Sequence, residues 1–275
     1  MPVRVELPAT LRDRLAAADR PLIGLWACAG SPITAEIVAG SGCDWVLLDA
    51  EHSPNGLESV LAQLYAMSAY PVAPLVRPPF GDTVTIKQFL DLGAQNLLIP
   101  MVDSAEQAAE IVRAVRYPDG TPGGGVRGVG SALARSARWN RVEGYLGRAN
   151  ETISLTVQIE SAAAVADVER IVATDGVDAI FVGPSDLAAS MGLLGQQNHP
   201  EVAAGVLRAI AAGVAAGKPV GVNAFVPADA ERYIAAGASF VAVGADVAIL
   251  ARQTEALVER FTAAPGSAAA PRASY

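Results

Sequence analysis

Glu160, in the run VQIE, and Asp186, in GPSD, each close a short apolar segment, where an unpaired carboxylate is costly unless something uses it. Side by side, two such groups could hold one hard divalent cation. Mg²⁺ and Mn²⁺ take oxygen ligands and commonly only one or two carboxylates, leaving positions for water and substrate. A 2-oxo acid could chelate that cation through its carboxylate and ketone oxygens, which would ease loss of a proton alpha to the ketone. Arg77, in VRPP, offers a cation for the developing enolate oxygen. Asp49 and His52, in LLDAEHSP with Glu51 between them, put a carboxylate three residues from an imidazole that it could orient for proton transfer.

Each residue also has a plainer reading. Asp186 could cap the helix that LAAS begins, Arg77 could sit in a structural ion pair, and Asp49 with His52 could be a satisfied loop pair. Glu160 is a weaker cap candidate, because Ser161 follows it and can do that job. His199, the other histidine, opens HPEVAAG and reads as a capping residue. The chemical reading holds only if the elements bring these groups together.

Short apolar runs alternate with longer amphipathic segments along the chain. The strand candidates are LIGLWAC (22–28), DWVLLDA (44–50), VAPLVRP (72–78), QNLLIPM (95–101), ISLTVQIE (153–160), DAIFVGP (178–184), PVGVNAF (219–225) and FVAVGAD (240–246). Continuous apolar strands separated by helices predict a parallel sheet covered on its outer face, and eight such units predict a single-domain α/β fold, the (β/α)8 or TIM barrel. A doubly wound open sheet is the alternative, with edges to protect. Barrel sites gather at the C-terminal ends of the strands. Asp49, Glu51 and His52 follow the second strand, Arg77 ends the third, Gln158 and Glu160 end the fifth, and Ser185 and Asp186 follow the sixth. The barrel alone therefore points all of them at one mouth.

Two segments break the period. Residues 118–150 form an insert between the fourth and fifth strands, expected to lie as a mobile loop over the mouth, with Arg127 and Trp139 in it. Gly123, Gly125 and Gly128 there satisfy G-x-G-x-x-G, but no strand precedes them, so dinucleotide binding is not read from them. The barrel domain is expected over 1–262, and the Ala/Pro/Ser-biased end, 263–275, as a flexible tail.

Composition argues against nucleic acid and membrane as partners. With 28 acidic and 20 basic residues the formal charge is −8, which disfavours nucleic acid. Two cysteines, no signal-peptide pattern, and prolines breaking the longest uncharged stretch predict a soluble, cytoplasmic chain that does not span a membrane. Lys87 and Lys218, the only lysines, end no strand, so Schiff-base chemistry is not expected.

From Leu11 to Phe261 the chain resembles the HpcH/HpaI aldolases, class II metal-dependent pyruvate aldolases of the 4-hydroxy-2-oxoheptanedioate and 2-dehydro-3-deoxyglucarate aldolase type. The likeness runs in order through LLDAEHSPN, VRPPFGD, GAQNLLIPMVDSAEQA, YPDGTPGGGVRGVG, VQIES and FVGPSDLAASMG. The family's DGEH reads DAEH here, with Ala50 the departure. The resemblance implies reversible aldol cleavage of 4-hydroxy-2-oxo acids to pyruvate or hydroxypyruvate and an aldehyde. It implies Mg²⁺, Mn²⁺ or Co²⁺ held by Glu160 and Asp186, Arg77 on the enolate oxygen, and His52 with Asp49 managing the proton. Gln158 would lie beside the oxo acid, whose carboxylate would meet backbone near Gly183, Pro184 and Ser185, though Pro184 has no N–H. Asp91, in FLDLG, would reach a neighbouring subunit's site, and the last helix would pack on or swap with a partner in a homohexamer, a trimer of dimers. The alternative on the same barrel is a citrate lyase beta or malyl-CoA lyase-like enzyme acting on a CoA thioester, which the lack of a basic patch for the nucleotide phosphates disfavours. A non-catalytic oxo-acid sensor is the third reading, and metal-dependent turnover would eliminate it.

Overall fold

The computed structural model describes residues 3–262. The expected tail, 263–275, lies outside the described residues. Eight parallel strands close into a barrel: β1 (Leu22–Ala27), β2 (Trp45–Asp49), β3 (Ala73–Arg77), β4 (Asn96–Ile99), β5 (Ser154–Ile159), β6 (Ala179–Val182), β7 (Val220–Asn223) and β8 (Phe240–Ala245), with β8 pairing back onto β1. Every predicted strand is present, trimmed by a residue or more where the apolar run enters a turn. The open-sheet alternative falls to this closure.

The helices, in chain order, are α1 (Leu11–Ala17), α2 (Pro32–Ala39), α3 (Leu57–Ala66), α4 (Thr83–Asp91), α5 (Ala105–Val115), α6 (Tyr145–Arg148), α7 (Ala162–Ala166), α8 (Val168–Ala173), α9 (Pro184–Ser190), α10 (Pro200–Ala215), α11 (Pro227–Ala235) and α12 (Asp246–Thr262). Local chemistry starts several of them. Asp82 accepts from the amides of Val84 and Thr85 before α4, Ser104 caps α5, and His199 caps α10 by accepting from the Glu201 amide.

Strand periodicity sorts the side chains into two shells. Val46, Leu48, Val76, Leu97, Val157 and Ile180 face outward and pack under the helices. Trp45, Leu47, Leu75, Leu98, Phe181 and Phe240 face inward and join Leu11 of α1, which closes the N-terminal end. Trp45, Phe181 and Phe240 pack ring against ring at 5.7–6.2 Å. They fit because Gly24 and Gly221 lack side chains: a Cβ on either would come within 2.3 Å of these rings. This aromatic layer is the floor on which the polar layer stands.

The insert is not where it was expected. It follows α5, and helices of a barrel run back toward the N-terminal ends of the strands, so the chain leaves α5 at the end remote from the mouth. Hydrogen bonds fix it there: Val126 N–H donates to Arg113 O (2.8 Å), Arg127 N–H to Arg116 O (3.0 Å), and Arg135 Nη1 to Leu92 O (3.2 Å) just past α4. Gly125 serves this packing, since a Cβ would sit 2.1 Å from Arg116 O. The segment is a base plate and does not cover this chain's own mouth.

Candidate active site

The inward parity that sets Trp45 and Leu47 in the core continues to Asp49, and on the next strand Ala73 and Leu75 lead to Arg77. The strand register places Asp49 opposite Arg77. On β5 the same alternation carries Gln158 and then Glu160 to the mouth. A cavity of about 500 Å³ opens above these strand ends. Asp49, His52, Arg77, Gln158 and Asp186 line it, with Gly183, Pro184 and Ser185 along one edge. Glu160 sits behind that wall, 2% exposed.

Arg77 is the centre of the arrangement. It is 2% exposed, its Nε donates to Asp49 Oδ1 at 2.9 Å, and its Nη1 lies 3.0 Å from Glu51 Oε2 and 3.5 Å from Gln158 Oε1. The Trp26 ring lies under the guanidinium, 4.5 Å from its carbon. Nη2 is buried without a hydrogen-bond partner. The Asp49 hydrogen bond, the Glu51 charge and the Trp26 ring thus hold the fork and leave the Nη2 nitrogen for an anion. Burial pushes the Asp49 carboxyl up, but the hydrogen bond and charge of Arg77 outweigh it and hold Asp49 below the usual carboxylate range. Glu51 goes the other way, raised by burial more than Arg77 and His52 lower it.

The expected dyad takes a different form. Asp49 accepts from Arg77, the Glu51 amide (3.1 Å) and Ser53 Oγ (3.1 Å), and what it meets of His52 is the backbone amide, at 3.5 Å. The imidazole stands 62% exposed, its Nε2 3.8 Å from Glu51 Oε2. A buried carboxylate gains more from a buried guanidinium across the register than from an exposed ring, so Glu51 is the acid nearest the imidazole. Asp91 is not part of this chain's own cavity. It ends α4 at the base, 3.3 Å from Arg127 Nη2.

Glu160 is held at both oxygens: Oε1 accepts from Met101 N–H at 2.8 Å, and Oε2 from the Gln158 side-chain amide at 2.5 Å. Burial, with Glu51 and Asp186 nearby, pushes its carboxyl up to about 7, against the Met101 amide and Arg77, which lower it. Glu51, Glu160 and Asp186 therefore crowd one mouth with more negative charge than Arg77 balances. A hard cation fits this donor set. No cluster of three or more His, Cys, Asp or Glu side chains suited to a metal occurs among the described residues. Two carboxylates are nevertheless what a Mg²⁺-like ion uses when water and substrate complete its shell. Gly183 keeps the place open, since a Cβ there would come within 2.7 Å of Glu160 Oε2 and 2.9 Å of Gln158 Nε2.

Trp26, Cys28, Asn223 and Phe225 also line the cavity and were not singled out from the sequence. Trp26 and Phe225 meet edge to face at 6.2 Å. The parity rule applied to β1 (Leu22, Gly24, Trp26) and β7 (Gly221, Asn223) would have found two of them. Lys87 and Lys218 do not line the cavity, and Lys218 donates to Val177 O.

A family model described as HpcH/HpaI aldolase/citrate lyase matches residues 22–252. The chain is 49% identical over 245 residues to a hydroxypyruvate/pyruvate aldolase of Deinococcus radiodurans, covering 89% of this chain and 87% of that one. It is 49% identical over 246 residues to a 4-hydroxy-2-oxo-heptane-1,7-dioate aldolase of Escherichia coli, covering 90% and 92%. Among solved structures, an HpcH/HpaI aldolase/citrate lyase family protein from Burkholderia cenocepacia superposes with a TM-score of 0.87 at 42% identity, covering 91% of this chain and 98% of that one. The family model over most of the chain and relatives at 49% identity, on an eight-stranded closed barrel, show that the chain belongs to the HpcH/HpaI aldolase/citrate lyase family.

Proposed function

We propose that this protein is a divalent-metal-dependent aldolase, a carbon–carbon lyase that reversibly cleaves 4-hydroxy-2-oxo acids to pyruvate or hydroxypyruvate and an aldehyde. The observation that carries the reading is Arg77, a buried guanidinium with Nη2 unpartnered, beside Gln158 and the Glu160 and Asp186 carboxylates. The relatives named as aldolases, at 49% identity over nearly their whole length, support it, and they favour free oxo acids over CoA thioesters. Among the described residues, Arg77 is the only arginine or lysine lining the cavity, and it is engaged by Asp49, so its wall offers little to the phosphates of a CoA.

Glu160 and Asp186 would hold the cation, whether Mg²⁺, Mn²⁺ or Co²⁺, which when bound supplies Lewis acidity at the substrate ketone. Arg77 Nη2 donates to the ketone oxygen and strengthens its hold as that oxygen gains charge. Of the three edge residues, Gly183 already donates its amide to Ile159 O and Pro184 has none, which leaves Ser185 to meet the substrate carboxylate. His52, close to Glu51 and open to the cavity, takes the proton from the C4 hydroxyl. The C3–C4 bonding pair then passes into the enolate, the aldehyde leaves, and protonation at C3 yields the oxo acid. Trp26 and Phe225 form the apolar side of the space left for the aldehyde.

Self-association is part of the same proposal. On α12, Leu250, Leu257, Val258 and Phe261 are 60–77% exposed, and Ile33 and Ile37 of α2 are each 68% exposed. Such apolar faces support a last helix packed on a partner subunit. No helix among the described residues is long and apolar enough to cross a membrane.

Deuterium exchange into the methyl group of pyruvate, followed by NMR, tests the chemistry without knowledge of the aldehyde. Exchange that requires Mn²⁺ on EDTA-stripped protein and disappears in Glu160→Ala is expected. Metal-loaded protein that exchanges neither pyruvate nor hydroxypyruvate would sink the reading.

A further inference from the structure

Met101 follows β4 and Pro100 at the mouth, with φ 53, a left-handed conformation that non-glycine residues rarely adopt. Its side chain is 44% exposed, so packing does not explain the backbone. What the conformation accomplishes is to present the Met101 N–H to Glu160 Oε1 at 2.8 Å. One side chain holds that turn on both sides: Gln107 Nε2 donates to Met101 O at 3.0 Å, and Gln107 Oε1 accepts from Asp103 N–H at 2.9 Å. Ser104 Oγ accepts from the Gln107 backbone N–H and caps α5, but the Gln107 side chain does not close a capping box on the Ser104 N–H; it goes instead to the Asp103 N–H and Met101 O.

We propose that Gln107 is a positioning residue for the Glu160 carboxylate, acting through the left-handed turn at Met101, which fixes one carboxylate oxygen while Gln158 fixes the other. The inference rests on the reading of Glu160 as a metal ligand. Partners of this kind orient ligands, and their loss commonly weakens metal affinity by roughly 10- to 100-fold. Without the Gln107 amide, Met101 relaxes toward the common extended or right-handed regions and its N–H leaves Glu160.

The test is titration of EDTA-stripped protein with Mn²⁺, followed by calorimetry and by the electron paramagnetic resonance signal of the free ion, with thermal melts alongside. Gln107→Ala is expected to weaken Mn²⁺ binding by roughly tenfold. Adding Met101→Gly in the Gln107→Ala background is expected to restore most of that loss, since glycine takes a positive φ without a steric penalty. Wild-type affinity in a folded Gln107→Ala protein overturns the proposal. So does a loss that Met101→Gly fails to restore, which would mark general loosening of the loop. Should Gln107→Ala not fold, Gln107→Glu retains the acceptor for Asp103 but cannot donate to Met101 O, and its binding Mn²⁺ as wild type does would overturn the proposal equally. Glu160→Ala separates the two readings. If it binds Mn²⁺ like wild type, the ligand assignment fails and the proposal with it. If it alone is weakened, only the positioning role of Gln107 fails.

Discussion

Replacing Glu160 by Gln should make the metal-free protein more stable at neutral pH and unable to hold its cation. The folded protein carries this carboxyl at about 7 against an ordinary 4.5, chiefly because burial and the neighbouring Glu51 and Asp186 disfavour the charged form. A raised acid stabilises the fold only while it stays protonated. The contribution is fully present below about pH 4.5 and is lost as pH rises to about 7, where the unfolded chain is ionised and the folded one resists ionisation. The shift corresponds to about 3 kcal/mol. An amide of the same shape accepts from Met101 and carries no charge, but its NH2 meets the Gln158 amide, which must turn its oxygen to accept. Glu160→Gln should therefore recover only part of that energy at pH 8 and little at pH 4.5. For a chain of this length, recovery of half or more corresponds to roughly 4 °C in melting temperature.

The same ionisation governs the cation, which needs the carboxylate. Mn²⁺ affinity of the wild-type protein should rise about tenfold per pH unit between pH 5 and pH 7 and level off above, one proton being displaced per ion bound. Thermal melts of EDTA-stripped wild type and Glu160→Gln from pH 4.5 to 8, with Mn²⁺ titrations over the same range, measure both. Parallel melting temperatures across that range, or a Mn²⁺ affinity flat between pH 5 and 7, would refute the assignment of Glu160 as a charge held in reserve for a metal.

Two further substitutions probe the neighbours of this carboxylate. Arg77→Lys cannot keep its contacts to Asp49 and Glu51 while also offering a free donor, so pyruvate exchange should slow by about 10²- to 10³-fold in NMR, and a loss below tenfold would argue against a role on the enolate oxygen. Gly183→Ala places a methyl 2.7 Å from Glu160 Oε2, so Mn²⁺ affinity measured by calorimetry should fall by roughly tenfold or more, and wild-type affinity would show that the carboxylate has room to move.

The barrel was legible because each strand is an apolar run bounded by turn residues, and the polar mouth because Asp49, Arg77, Gln158 and Glu160 all extend an inward-facing alternation. The insert was misplaced although its position could have been read: it follows the helical segment SAEQAAEIVRAVRY, and a connection leaving a helix belongs to the base of a barrel. The relation of Asp49 to His52 was not legible. Spacing along a strand end does not reveal that Arg77 lies opposite Asp49 in the register and takes its carboxylate from the imidazole. Nor does any pattern announce Met101, whose contribution to Glu160 is a backbone N–H turned by a dihedral angle. The family resemblance picked out residues by identity, and it was silent about groups such as Glu51, Trp26 and Asn223 that orient them or shape the space between them.

The charges at the mouth explain why these residues make sense only as part of a complex. Asp49 and Arg77 neutralise one another, while Glu51, Glu160 and Asp186 remain with little positive charge to meet them beyond what Arg77 shares with Glu51. A 2-oxo acid is itself an anion, and entering this mouth alone it would face net repulsion in a partly desolvated space, where charges interact several times more strongly than in water. On the proposed function, a divalent cation held by Glu160 and Asp186 would reverse that sign. The unpartnered Nη2 of Arg77 then has an oxygen to receive, because the substrate can approach closely enough to reach it. On the proposed function, the raised Glu160 carboxyl and the incomplete hydrogen bonding of Arg77 would have one origin, since Glu160 would serve a cation and Arg77 Nη2 the oxo acid.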